Sequence, residues 1–357
     1  MSELVHNNKS GERIFVYDAL RFIAIAAVIM IHCSAAFVAY FYPHNIKFVT
    51  GNIFDSISRI GVPLFLMLSG VFMLDENRSL PYKKLAYKIG KLLLLLIFWA
   101  AVYAIIFHQK ELIYYFFYGH VHLWYLYVII GLYLVTPILR LFVKSENKAI
   151  LYYFVVLALI FQFLPDFISF CCHRTNYVSK FFDMFKVYSV CGYVAYYILG
   201  RLIAIDFDRI IKYKNLILYL GIIAVTASFT GAELYTTKTA QTYRVFFEEK
   251  NILVFIYSIS SFVLLTNIIK NNEHKFSGCL KQAITSVSKL SFGIYLVHMI
   301  ILSCLQANIL KDIFSITIKN TNAFLYIVIT YLITFVLSYV VVFIMSKIKY
   351  INQLVKI

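Results

Sequence analysis

About ten stretches of this chain are apolar and long enough to cross a lipid bilayer as helices. They fall near residues 14–41, 53–74, 87–107, 122–142, 149–164, 187–205, 215–231, 252–269, 290–305 and 323–345. The bilayer core offers no water to backbone N–H and C=O groups, so each spanning segment must close its own hydrogen bonds. Helices do this segment by segment. A 62% hydrophobic fraction, only 14% charged residues and a mean hydropathy of +0.80 put the whole chain outside the soluble globular range. The expected fold is an all-α, polytopic membrane helical bundle of about ten transmembrane helices.

The basic residues orient it. With the N-terminus inside, 21 of the 33 lysines and arginines fall on the cytoplasmic side and 10 on the other, leaving Arg21 and Arg59 within the membrane. This bias predicts that both termini are cytoplasmic. The net charge of +16 is mostly a topogenic signal. Spread over several cytoplasmic loops, it forms no nucleic-acid motif, so no nucleic-acid partner is expected, although it also favours an anionic cytoplasmic ligand. The first apolar stretch exceeds a signal-peptide h-region and reads as a retained anchor.

One domain, residues 1–357, is expected, because no Pro-, Gly- or Ser-rich linker, low-complexity tract or fixed-period repeat divides the chain. The closing segment KIKYINQLVKI is too short for an appended soluble domain. Chemistry must then reside in the bundle and its loops. Six cysteines lack CxxC spacing and indicate neither a disulfide framework nor a metal site, and Cys171, Cys172 and His173 read as an incidental cluster in an outer loop.

Polar residues inside the spans carry the functional signal. Arg21 and His32 are eleven positions apart, which returns a helix to within about 20° of its starting direction and separates them by about 16 Å along the axis. They share a face, one near a membrane surface and one deep, where an ionisable residue reads as a site facing a protein interior or a wet cavity. Asp55 and Arg59 are four apart, on one face near the outer end of the second span, and read either as a structural ion pair or as site residues. His122 opens the fourth span and His298 lies mid-span in the ninth. Each reads either as a helix-bridging, hydrogen-bonding imidazole or as part of a site shared with His32.

Five strings in order carry a resemblance: YDALRFIAIAAVIMIH with its Arg-x10-His spacing, SISRIGVPLFLMLSGVFML, HLWYLYVIIGLYLVTPIL, YYILGRLIA and LSFGIYLVHMIIL. Together they make the chain resemble the acyltransferase-3 family of bacterial membrane proteins, over about residues 14–305. The resemblance implies a bundle of about ten helices in the bacterial cytoplasmic (inner) membrane, and without the extracytoplasmic hydrolase-like domain fused to some relatives a stand-alone transferase is expected. It further implies transfer of an acyl group, here read as acetyl, from acetyl-CoA to a hydroxyl of a cell-surface or envelope glycan or lipid-linked saccharide. Arg21 and His32 match the family's paired motif, and Ser69 with Gly70 its Ser-Gly motif. Many members place arginines where the third span opens. This chain has Lys84 and Lys88 there, which attract phosphate as point charges without a bidentate fork.

On this reading His32 serves as general base or transient acyl carrier, with general base favoured, and Arg59 stabilises charge on the thioester oxygen. Arg21, Lys84 and Lys88 face the acetyl-CoA donor, Ser69 reads more readily as a packing residue than as a nucleophile, and no metal or prosthetic group is expected. The competing expectation is a glycan or small-molecule exporter. Arg-x10-His and the lack of evident repeated halves count against it.

Overall fold

The structure, a computed structural model, describes residues 13–107, 120–144, 149–171, 181–182, 184–185, 192–239 and 244–356. Among them there is no strand. The helices in chain order are α1 (Phe15–Tyr40), α2 (Ile46–Ser58), α3 (Gly61–Met73), α4 (Tyr82–Ile106), α5 (Trp124–Lys144), α6 (Ala149–Ala158), α7 (Leu164–Cys171) and α8 (Tyr193–Ile205). They continue with the short α9 (Phe207–Ile210), α10 (Lys214–Thr239), α11 (Ile252–Asn272), α12 (Gly278–Cys304) and α13 (Ala323–Lys347). Each expected span overlaps a described helix. Eight helical stretches are long and apolar enough to cross a membrane, while Ala149–Phe163 and Tyr193–Ile205 are shorter. The former runs into a π-helical segment, Leu159–Phe163, that continues into α7. The start of the sixth expected span, the residues Cys172, His173, Lys110, Arg174, Lys180 and Lys186 expected in outer loops, and Lys9 and Lys148 lie outside the described residues.

The second expected span begins earlier than its hydropathy suggests and is broken in two. Asn45 caps α2 by accepting from the Lys47 N–H at 2.9 Å, a standard helix start. The break falls at Arg59 and Ile60, four and three residues before Pro63. Proline has no N–H to give the carbonyl four residues back, and its ring crowds that carbonyl. The interruption leaves Arg59 at a helix end in the middle of an apolar run.

Helix α1 is the centre of the bundle, packed against α2, α3, α11, α12 and α13. Its apolar residues are buried around most of its circumference, as an interior helix requires. Helices α3 and α8 touch backbone to backbone: a Cβ on Gly70 would overlap the Tyr197 carbonyl, and one on Gly200 the Met67 carbonyl. The end of α3 is then clamped. Arg201, fully buried on α8, bonds Asp75 at 2.9 Å and Glu76 at 2.6 Å, and Arg140 of α5 donates to the Met73 carbonyl at 3.1 Å. Arg201 is therefore an internal cross-link as well as a basic residue near a span end.

Arg13 reaches Ser288, and Val355 packs beneath Gly293 while Trp99 Nε1 donates to the Leu354 carbonyl at 3.0 Å. These contacts bring both described ends of the chain to one end of the bundle, called here the terminal end.

Candidate active site

Arg21 and His32 do share one face of α1, and each opens into a different cavity. Towards the terminal end, Arg21 lines a cavity of about 150 Å³ with Ser69 of α3, Tyr125 and Tyr133 of α5, and Ser291 and Tyr295 of α12. Towards the far end, His32 lines a larger one of about 540 Å³ with Asp55, Arg59, His122, Trp124, Tyr193, Phe247 and the run Glu248 to Lys250. No residue lines both.

Arg21 is held in place by its own helix. Asp18, one turn earlier and 2% exposed, accepts from Arg13 at 2.5 and 2.9 Å, from Ser288 Oγ at 2.8 Å and from Arg21 Nη1 at 3.3 Å. The Arg21 guanidinium also lies 4.6 Å from the Phe72 ring centroid, and Arg78 lies 4.9 Å from the same ring. Both cations stay partly exposed, at 26% and 40% of their side chains. They therefore keep donors for another anion. Lys88 is half-buried beside Met73, with Nζ 3.7 Å from the thioether, whereas Lys84 is exposed, and neither lines the smaller cavity. Ser69 lines that cavity while Gly70 makes the α3–α8 contact, so the Ser-Gly motif combines a cavity wall with close packing.

In the larger cavity Arg59 Nη2 bonds Asp55 Oδ2 at 2.6 Å, and its guanidinium lies 5.2 Å from the Phe247 ring centroid. Burial raises the Glu249 carboxyl above its ordinary range, with the nearby Arg59 charge acting against that shift. The Trp124 and Tyr193 rings lie side by side on the wall, centroids 5.4 Å apart, with the Lys250 ammonium 5.5 Å from Tyr193.

The expected convergence of histidines is present. The His298 ring lies 5.1 Å from that of His32 and 5.3 Å from that of His122, and the rings of His32 and His122 are 6.4 Å apart. His298 is fully buried and lines neither cavity. His120 joins the group through an Nδ1 to Nδ1 contact of 2.8 Å with His122, and stacks on Tyr103. Tyr295 ties the layer together: its hydroxyl donates to the His122 carbonyl, and its own carbonyl faces His298 Nδ1 at 2.7 Å. Among the described residues no group of three or more His, Cys, Asp or Glu has the geometry to hold a metal ion.

Sequence reasoning did not single out His120, Tyr295, Arg78 or Glu249. His120 was visible as the first member of HVH, and Glu249 as half of an acidic pair in an otherwise basic chain. Tyr295 and Arg78 carried no such signal, because only the fold brings them to the cavities.

The family model described as an acyltransferase domain (Acyl_transf_3) matches residues 15–343. The chain belongs to the acyltransferase-3 family. Comparison with curated proteins yields no match, and neither does comparison with solved structures. Every residue lining the two cavities lies within the matched acyltransferase-3 span, from Arg21 to Tyr295. The family assignment therefore covers the whole candidate site and supports acyltransferase activity in a membrane-embedded protein.

Proposed function

We propose that this membrane acyltransferase is an O-acetyltransferase that takes acetyl from acetyl-CoA at the terminal, cytoplasmic end and gives it to a glycan hydroxyl in the larger cavity at the far end. The observation that carries this reading is the division of the motif pair: Arg21 opens to one cavity and His32 to the other, on one rigid helix. Donor and acceptor then approach from opposite sides, and of the donor only the thioester end of its arm needs to reach His32.

The smaller cavity suits the donor arm. It is small, mostly apolar and lined by three tyrosines, with the partly exposed Arg21 and Arg78 at one end. Phosphates are held there by Arg21, with Arg78 supplying a guanidinium beside the same ring and Lys88 a point charge. The larger cavity suits a saccharide, because it offers an aromatic wall together with carboxylates and cations.

In the transfer itself, neutral His32 takes the proton of the acceptor hydroxyl as its oxygen attacks the thioester carbonyl. Arg59 stabilises the negative charge that develops on the carbonyl oxygen, which is worth most where water is scarce. The carbon–sulfur bond then breaks, and the proton passes from His32 to the departing coenzyme A thiolate, so the products are the ester and the free thiol. Ser69 is left as a wall of the donor passage. On the resemblance of its motif strings, the acceptor we favour is enterobacterial common antigen, and the membrane is the bacterial inner membrane.

The test is mass analysis of envelope glycans from cells carrying the wild-type chain, His32→Ala or no chain at all. The expected result is an acetyl substituent present only with the wild type, a loss of about 10² to 10⁴ in transfer for His32→Ala at matched membrane abundance. An unmodified glycan trapped inside cells lacking the chain would favour export and overturn the transferase reading.

A further inference from the structure

The histidine His298 is not explained by either cavity, yet its bonding is unusually well defined. Its Nδ1 lies 2.7 Å from the Tyr295 carbonyl oxygen, which only accepts, so the ring proton sits on Nδ1. The neutral ring therefore carries its lone pair on Nε2. That atom is buried and has no hydrogen-bond partner. An orphaned acceptor inside a membrane protein is costly and calls for an explanation.

His32 is the nearest imidazole, with ring centroids 5.1 Å apart and planes inclined by 44°. His122 is slightly farther, at 5.3 Å; its Nδ1 is engaged by His120, while its Nε2 is buried without a partner just as His298 Nε2 is, so His122 is the neighbour that the test must separate from His32. We propose that His298 is the positioning residue of the transfer: its Nε2 accepts an N–H from His32, fixing the tautomer that turns the other His32 nitrogen to the acceptor hydroxyl. The bond closes as the reactants assemble, since such contacts are often long in the resting state. When His32 takes the hydroxyl proton both its nitrogens carry hydrogen, and the His298 lone pair stabilises the cation by accepting from one of them. The carbonyl of Tyr295 completes the chain, acting on His298 as an orienting group acts on a catalytic base. This inference rests on the role given to His32 above.

The test uses full-length protein in lipid nanodiscs, with acetyl-CoA and purified envelope glycan as substrates, and compares three His298 substitutions with wild type, with His122→Leu and His32→Ala run beside them. In His298→Gln the amide oxygen takes the place of Nε2 and can accept from His32. In His298→Asn the amide can still donate to the Tyr295 carbonyl but reaches no farther, and His298→Leu does neither. The expected result is a fall in kcat of about 10²-fold for Asn and Leu, with unchanged acetyl-CoA KM, and recovery to within about tenfold of wild type for Gln. Thermal unfolding of the Asn variant should match wild type. Near-normal kcat in both Asn and Leu overturns the proposal. So does an equal loss in all three at unchanged stability, or a kcat loss confined to His122→Leu, which would give the role to His122. The His32 control separates the two readings: activity surviving His32→Ala removes the base itself, whereas an inactive His32→Ala beside fully active His298 variants removes only His298.

Discussion

Arg59 and Asp55 are joined through a single nitrogen and a single oxygen 2.6 Å apart, and both the Arg59 Nε and the second Asp55 oxygen are buried without partners. An isolated charge at this position would be far more costly than the pair. Asp55→Leu should therefore lower stability by about 3–5 kcal/mol, read as thermal unfolding in detergent. The double variant Asp55→Leu with Arg59→Met should regain most of that stability and remain inactive in acetyl transfer. Activity in the double variant would reduce Arg59 to a structural role.

Arg21 should govern donor binding. Arg21→Ala removes a partly exposed guanidinium while Asp18 keeps its bonds to Arg13 and Ser288, so the helix start persists. Acetyl-CoA affinity in purified protein should fall by about 10- to 100-fold. Lys84→Ala, at an exposed position, should change it by less than about threefold, with an effect that salt suppresses. Unchanged affinity in Arg21→Ala would remove this residue from the donor site.

Glu249 should leave a signature in the pH dependence of stability. Its carboxyl is raised in the folded protein, so the native state holds the proton more tightly than the unfolded state does. Stability from this group is complete below the ordinary carboxylate pKa and is lost as pH rises through the raised value. Glu249→Gln should abolish that decline and leave a flatter curve over the same window. An identical slope in wild type and variant would contradict it.

Gly200 tests the close packing of α3 and α8. A methyl group there would overlap the Met67 carbonyl, a backbone atom that cannot swing aside. Gly200→Ala should destabilise the protein by about 1–3 kcal/mol or more, measured by thermal unfolding. Gly131→Ala is the control, because nothing lies within 4 Å of its added methyl, and it should be close to neutral.

Much of this molecule is written in its local chemistry. The apolar runs located the helices because bilayer-spanning segments must be apolar over a fixed length, and the eleven-residue spacing of Arg21 and His32 survived as a shared helix face because α1 is unbroken. The break at Arg59 was less legible, since hydropathy averages over Pro63 and sees one long run. The positions of His32, His122 and His298 in the spans left open whether they gather, because that depends on how α1, α12 and the turn before α5 pack, and His120 joins them only through that turn. Arg78 was not legible at all: Lys84, whose position in the sequence pointed to the donor, is exposed, and it is Arg78, from the preceding turn, that lies at the ring beside Arg21.

Between the two cavities lies a layer of rings, with Tyr125 and Tyr295 on one side and His122 and His298 on the other. Tyr295 is bonded across it to the His122 backbone. A protein that works from both faces of an energised membrane must avoid becoming a pore, because a continuous file of water would short-circuit the ion gradient on which the cell depends. On the two-sided transfer proposed above, the ring layer would supply that insulation. In the proposed transfer a tethered acyl group would pass this layer one molecule at a time, and because no residue lines both cavities they do not merge into one water-filled file among the described residues, so chemical exchange would be separated from electrical leakage.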